Sequence, residues 1–345
     1  MLKKWIFVQC RIFPLLLRKV NYYNAVIGVD PEREVNRMPG CIKRFVTDLK
    51  RHYLLWLMIT PALLFFIIFN YLPMIGVYFA FTRYDFNLGY FRSPYIGFEN
   101  FAYLFKSGIL TSLTVKTLLY NLAFILCGNL CQVICALFLN DLKSKKFVRT
   151  AQTIIFLPYF ISMVMVGMFA YNLLNIDNGF INTLLRTLDQ EKFNFYMTPS
   201  VWPFIIVIIH VWKGLGYGTI IYLSALTGID PELYDAARID GAGKWGQIRY
   251  VTIPLLKPTV ILLILFSLGS IMKGIFELFY QLIGKNGVLY EATDIIDTYV
   301  YRSLMVNYNI GMSSAAGLYQ SVFGFALVMT VNWLVRRYES SYALF

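Results

Sequence analysis

Six stretches of this chain are too long and too apolar to sit in the core of a water-soluble domain, and they decide what it can fold into. They cover residues 54–81, 113–139, 153–174, 201–226, 259–283 and 314–335. About 20 residues of helix cross the hydrocarbon of a bilayer. Lipid offers the backbone no hydrogen bonds, so a spanning segment must satisfy its own. The expectation is an all-α integral membrane protein with six transmembrane helices. Charged residues make up only 14% of the chain, against about 25% in soluble domains. Pro61 and Pro73 predict a kink or tilt in the first span, which neighbouring helices tolerate in lipid.

Topology follows from Lys and Arg, which accumulate in cytoplasmic loops. With the N-terminus inside, the inner segments carry 21 basic residues and the outer loops 7. Both termini are therefore expected in the cytosol, with residues 53–337 forming the six-span domain. The net charge of +12 is explained by basic residues beside the spans, drawn to anionic lipid head groups, and gives no support to nucleic-acid binding. Residues 1–52 read as a basic cytosolic segment. Lys3 and Lys4 open it like a signal peptide, but Arg11 interrupts the apolar region and no small-residue cleavage site follows. Residues 1–20 fit either an interfacial amphipathic helix broken near Pro14 or a basic tail. Residues 28–40 read as a linker, and residues 338–345 as a cytosolic tail.

The loop at 229–258 carries the most specific pattern, PELYDAARIDGAGKWGQIRYVTIPLLKP from Pro231 to Pro258. Asp230 is a helix N-cap type, Pro231 suits the first helical position, and Glu232 and Asp235 put negative charge near the positive end of the helix dipole. Gly241, Ala242 and Gly243 end this helix. Residues 244–253 can start another before Pro254 and Pro258 stop it. The loop resembles that of the membrane permease subunits of binding-protein-dependent ABC importers: Asp235-Ala236-Ala237, then Asp240-Gly241-Ala242, then Ile253-Pro254, with Asp at 235 where the family carries Glu. Further blocks are similar to carbohydrate permeases: Asn70-Tyr71-Leu72-Pro73-Met74 with Ala80-Phe81, Ile96-Gly97-Phe98-Glu99-Asn100-Phe101, and Phe156 through Ser162. They are similar to the maltose-system permease and, more narrowly, to permeases for oligosaccharides released from complex polysaccharides.

The resemblance implies the six-helix type I permease fold in a bacterial cytoplasmic membrane. It implies a heterodimer with a second homologous permease subunit, two cytosolic ATPase subunits and an extracellular sugar-binding protein. ATP and Mg belong to the ATPase partner, and this chain needs no cofactor of its own. The loop is then the contact to the ATPase, with Glu232, Tyr234, Asp235, Ala236, Ala237, Asp240, Gly241, Ala242, Ile253 and Pro254 as the coupling residues. Asp235 is expected to reach a basic residue on the ATPase, and Gly241 to bend the loop.

Ionisable residues inside spans are costly and face the protein or a water-filled path. Lys213 lies in the fourth span one turn after His210, and Lys273 and Glu277 lie one turn apart in the fifth, close enough on one face to pair. With Phe276 and Tyr280 these residues are candidates for the oligosaccharide path, or else structural ion pairs between helices. Asn121 and Gln132 add polar groups to the second span, and Lys116 reads as snorkelling from a span end. Cys127, Cys131 and Cys135 repeat on one helix face and read as small packing residues, not as a metal site. In KGLGYGT, Gly214, Gly216 and Gly218 lack the context of a dinucleotide fingerprint and suit close helix contact. With no phosphate loop and no HExxH, the chain reads as a transport subunit, not an enzyme. An ion-coupled secondary transporter would show repeats and buried carboxylates. A membrane-embedded glycosyl-transfer enzyme would need acids gathered at one membrane face, where Asp294 and Asp297 are a thin basis.

Overall fold

Helix supplies nearly all the regular structure, as a backbone in lipid requires. The computed structural model describes residues 51–89 and 92–338. The expectations for residues 1–50 and for the tail beyond residue 338 lie outside the described residues. Among the described residues there is no strand, and one isolated bridge joins Thr82 to Tyr95.

The chain divides into two units, Met1–Ile75 and Gly76–Phe345. In the first, α1 (Tyr53–Phe66) leads into a π-helical turn, Ile67–Tyr71, and then a 3-10 run, Leu72–Phe81, which continues into the second unit. Pro61 lies inside α1. Pro73 cannot give the N–H that an α-ladder needs at its position, and the helix changes type immediately before it. No residue of α1 is buried.

The second unit continues with α2 (Glu99–Lys106), α3 (Ile109–Asp141), α4 (Lys145–Phe160), α5 (Met163–Leu174) and α6 (Phe180–Thr187). Next come α7 (Trp202–Thr227), α8 (Pro231–Ile239), α9 (Lys244–Gln247) and α10 (Ile253–Leu268). The last elements are α11 (Phe276–Ile283), α12 (Tyr290–Thr293), α13 (Ile296–Met305) and α14 (Ile310–Tyr338). Five helical runs are long and apolar enough to cross a membrane, and α4 with α5 makes a sixth if that bent pair is one span.

The central pair is α3 and α7. Two buried clusters lie along it. Tyr120, Phe124, Trp202 and Ile206 meet Ala170 of α5 and Leu278 and Phe279 of α11. Ala136, Leu139, Tyr222 and Leu226 meet Leu256 of α10. The α7 glycines permit this closeness: a Cβ on Gly216 would stand 2.5 Å from the Cα of Phe156, and one on Gly218 2.1 Å from the Gln132 side chain. Small residues at helix contacts let backbones approach in this way.

Two expected spans are corrected. The third, expected as 153–174, begins at Lys145 and is bent by 97° between α4 and α5. Ser162 starts α5 as its N-cap, accepting from the Met165 N–H. The fifth, expected as 259–283, ends as a helix at Leu268, and α11 is a separate element. At its other end, Pro254 and Pro258 do not stop a helix. A π-helical turn, Ile248–Thr252, joins α9 to α10, and the Ile253 N–H reaches back to the Ile248 carbonyl. The widened turn accommodates the N–H that Pro254 lacks, and the run Lys244–Leu268 is continuous.

Candidate functional site: the loop and the broken spans

The loop forms as its residues dictate. The Asp230 carboxylate accepts from the Glu232 N–H at 3.0 Å, and α8 then runs to Ile239. At its end the Gly241 N–H donates to Arg238 O at 3.0 Å and the Ala242 N–H to Ala237 O at 2.9 Å, with Gly241 at φ +80°. These two bonds and the left-handed glycine make a Schellman cap. The Gln247 amide donates to Ala242 O at 3.1 Å, and the hydroxyls of Tyr234 and Thr252 meet at 3.1 Å, so the second helix folds back on the first. Lys244 pairs with Asp141 at the end of α3 at 2.6 Å. Ile239 and Trp245 project outward, 87% and 84% exposed, an unusual position for large apolar side chains in a polar loop.

Within the spans, the α4–α5 bend interrupts the helical ladder at the end of α4. Of the three carbonyls that Lys213 meets there, only that of Pro158 takes a backbone cap bond among the described residues, from the Ile161 N–H at 3.2 Å. The Lys213 ammonium, from α7, donates to Tyr159 O at 3.0 Å, to Pro158 O at 3.3 Å and to Ile161 O. His210 stacks on Phe124 with ring centroids 4.0 Å apart. The polar groups of α3 are spent on neighbours: Gln132 donates to Gly214 O at 3.2 Å, and Asn129 accepts from the Tyr222 hydroxyl at 2.5 Å.

Beyond α10, Phe276 and Tyr280 stack at 5.2 Å, and Tyr301 of α13 closes on both at 4.9 and 5.0 Å. Beside this trio lies a cavity of about 140 Å³ lined by Tyr280, Tyr290, Asp294, Thr298, Tyr301 and Arg302. Arg302 and Asp294 form a largely buried double hydrogen bond at 2.5 and 3.1 Å, and the guanidinium lies 4.2 Å above the Tyr290 ring. Burial disfavours the Arg302 charge, but the Asp294 carboxylate outweighs that and holds the guanidinium above its usual pKa. Thr298 also donates to Asp294 at 2.7 Å. Asp297 accepts from the Gly274 N–H at 2.7 Å and the Gln320 amide at 2.9 Å. Both acids of the enzyme alternative are thus engaged in holding the fold.

Comparison with known proteins decides the family. Residues 128–340 match the model of the binding-protein-dependent transport system inner membrane component. The chain belongs to that family. It is 34% identical over 295 residues to Protein LplB of Bacillus subtilis, covering 86% of this chain and 92% of that one. It is also 34% identical over 301 residues to the polygalacturonan/rhamnogalacturonan transport system permease protein YteP of Bacillus subtilis, with the same coverage. Among solved structures, a chain of a bacterial ABC transporter involved in the import of alginate superposes with a TM-score of 0.76 at 33% identity, covering 85% of this chain and 99% of that one.

The chain is thus a multi-pass subunit of an ABC importer in the cytoplasmic membrane, and hydrolysis belongs to a separate ATPase subunit. In this permease the expected coupling residues share one folded element, from Glu232 on α8 to Ile253 and Pro254 at the start of α10. Within this chain the Asp235 carboxylate pairs with Arg238 of the same helix, at 2.8 Å with both side chains exposed. The expected path residues divide. Phe276 and Tyr280 join Tyr301, a partner that no local pattern marked. Lys273 and Glu277 are not helical neighbours, because the break puts Lys273 before α11, and among the described residues no ion pair joins them. Lys213 serves backbone carbonyls. Ile239 and Trp245 were missed, although two apolar residues flanking a glycine hinge in a polar loop were a readable signal.

Proposed function

We propose that this permease lines half of the path for an oligosaccharide and is driven through the loop at 229–258. A second homologous permease supplies the other half, two cytosolic ATPase subunits holding ATP and Mg grip the loops, and an extracellular binding protein delivers the sugar. The observation that carries this reading is the capped, glycine-hinged loop with Ile239 and Trp245 exposed at its surface. Unpartnered apolar side chains on a rigid turn suit a cleft in another protein, where buried aromatic anchors dominate binding. Asp235 remains available to a basic residue of the ATPase, because an exposed pair such as Asp235–Arg238 contributes only about 0–1 kcal/mol and is easily exchanged. The basic-residue count supports placing this loop and both termini in the cytosol.

An oligosaccharide fits the aromatic trio, whose rings present flat apolar faces beside the polar cavity. The names of the relatives favour oligomers from complex polysaccharides. The test is reconstitution of the four-subunit complex with its binding protein, followed by sugar-stimulated ATP hydrolysis with polygalacturonate, alginate and neutral oligomers. At least one oligomer should stimulate hydrolysis, and Trp245→Ala should abolish the stimulation at normal expression. A chain that associates with neither an ATPase nor a second permease would overturn the reading.

A further inference from the structure

Both broken spans leave backbone groups without helical partners, and in each case an ionisable side chain from another element takes them up. At the α4–α5 break, Lys213 holds the carbonyls of Pro158, Tyr159 and Ile161. After α10, Asp297 of α13 holds the Gly274 N–H, while Gln320 of α14 donates to Met272 O at 2.7 Å and to Asp297. The charges suit the ends they face. An ammonium sits at the C-terminal end of α4, and a carboxylate sits just ahead of the N-terminus of α11. The fit at Gly274 is tight, since a Cβ there would stand 2.2 Å from Ile295 Cδ1 and 2.7 Å from Asp297 Oδ2.

We propose that Lys213 and Asp297 are positioning residues for transport: each fixes the geometry of one broken span, and together they set the shape of the path. The consequence for the path is direct. Beyond the breaks, α5 and α11 pack on each other so closely that a Cβ on Gly167 would stand 2.6 Å from Gln281 O. The two breaks therefore aim a shared face. Tyr301 lies one helical turn after Asp297, so the carboxylate that holds the second break also sets where Tyr301 meets Phe276 and Tyr280. Ser162 caps only α5, and no side chain other than that of Lys213 donates to the carbonyls at the end of α4 among the described residues.

The test uses the assembled complex, with the 5 cysteines of this chain replaced and spin labels at its exposed positions 147 on α4 and 173 on α5. From helix rise alone these positions stand about 26 Å apart at the observed bend and about 39 Å apart in a straight span. Lys213→Met should broaden this distance toward longer values. It should also lower maximal sugar-stimulated ATP hydrolysis about ten-fold, the size of one lost charge-assisted hydrogen bond. Lys213→Arg should restore both. Asp297→Ala should raise the sugar-complex concentration needed for half-maximal stimulation more than it lowers the maximum, and Asp297→Asn, which keeps an acceptor, should not. A wild-type distance and rate in Lys213→Met would overturn the role, as would equal impairment in Met and Arg. If Lys213→Met does not assemble, Arg against Gln decides: Arg nearer to wild type supports the cap, and equal behaviour refutes it. The proposal rests on the importer reading, but the distance is measured without transport, so the two can fail separately.

Discussion

Replacement of Gly241 separates backbone geometry from partner contact at the hinge of the loop. Gly241 sits at φ +80°, and a Cβ built there meets nothing within 4 Å. Within this chain the cost of a side chain is therefore conformational. An L-residue in the left-handed region loses about 1–2 kcal/mol, with Asn the best tolerated. A β-branched residue is worse, because such a residue at positive φ is a genuine outlier. A loss of about 1–2 kcal/mol shifts a two-state population by roughly 5–30-fold, so Gly241→Val should reduce the fraction of loops in the capped form by at least that factor. Membrane insertion should be unaffected, since the residue lies outside every apolar run. The assay is sugar-stimulated ATP hydrolysis and uptake in proteoliposomes for Asn, Ala and Val in series. Activity should fall in that order, with Asn near wild type. Normal coupling in Gly241→Val would refute the hinge. An equally severe loss in Gly241→Asn would show that the position needs space for a partner, not a backbone angle.

Gly216→Leu should force α7 from α4, costing about 1–3 kcal/mol or more of overpacking and lowering the thermal stability of the purified complex. Gly214→Ala is its control, because a Cβ there has no neighbour closer than 4.0 Å; equal stability of the two variants would contradict the packing account. Arg302→Ala strands the mostly buried Asp294 and should cost about 3–5 kcal/mol, with Asp294→Asn/Arg302→Met recovering part of it; unchanged melting of the single variant would count against the pair. Tyr301→Ala should raise the half-maximal concentration for sugar-stimulated hydrolysis by roughly 2–10-fold, in keeping with about 0.5–1.5 kcal/mol for an aromatic contact. An unchanged value would remove Tyr301 from the path.

The spans and the loop were legible because their signals are local. Hydropathy over twenty residues marks a span, and Asp230, Pro231 and Gly241 each act on the backbone beside them. The breaks were not legible because what holds them is remote. Ser162 looks like any serine until Lys213, some fifty residues later, is seen to hold the carbonyls before it. Gly274 looks like one more small residue in an apolar run until Asp297 arrives from another helix. Pro254 misled in the opposite direction. Proline ends a regular helix, but the preceding π turn lets this one continue, and nothing in the local pattern announces a π turn. The pairing of Lys273 with Glu277 failed for the same reason, since it assumed helix across a segment whose own hydrogen bonds lie elsewhere. Tyr301 was invisible because its partners lie on another helix, more than twenty residues away.

The unbroken run from Lys244 to Leu268 gives the loop a mechanical meaning. Its second helix and the fifth span are one rod of 25 residues, about 38 Å long at helical rise. A partner that seizes the rod near Trp245 holds a lever whose handle lies in the loop and whose far end is Leu268. Tilting that lever by about 10° would carry its far end about 6–7 Å. That displacement arrives at the segment fastened by Gln320 and Asp297. Torque applied at the loop end of this rod is thus delivered to Leu268, where the segment that leads to the aromatic trio begins.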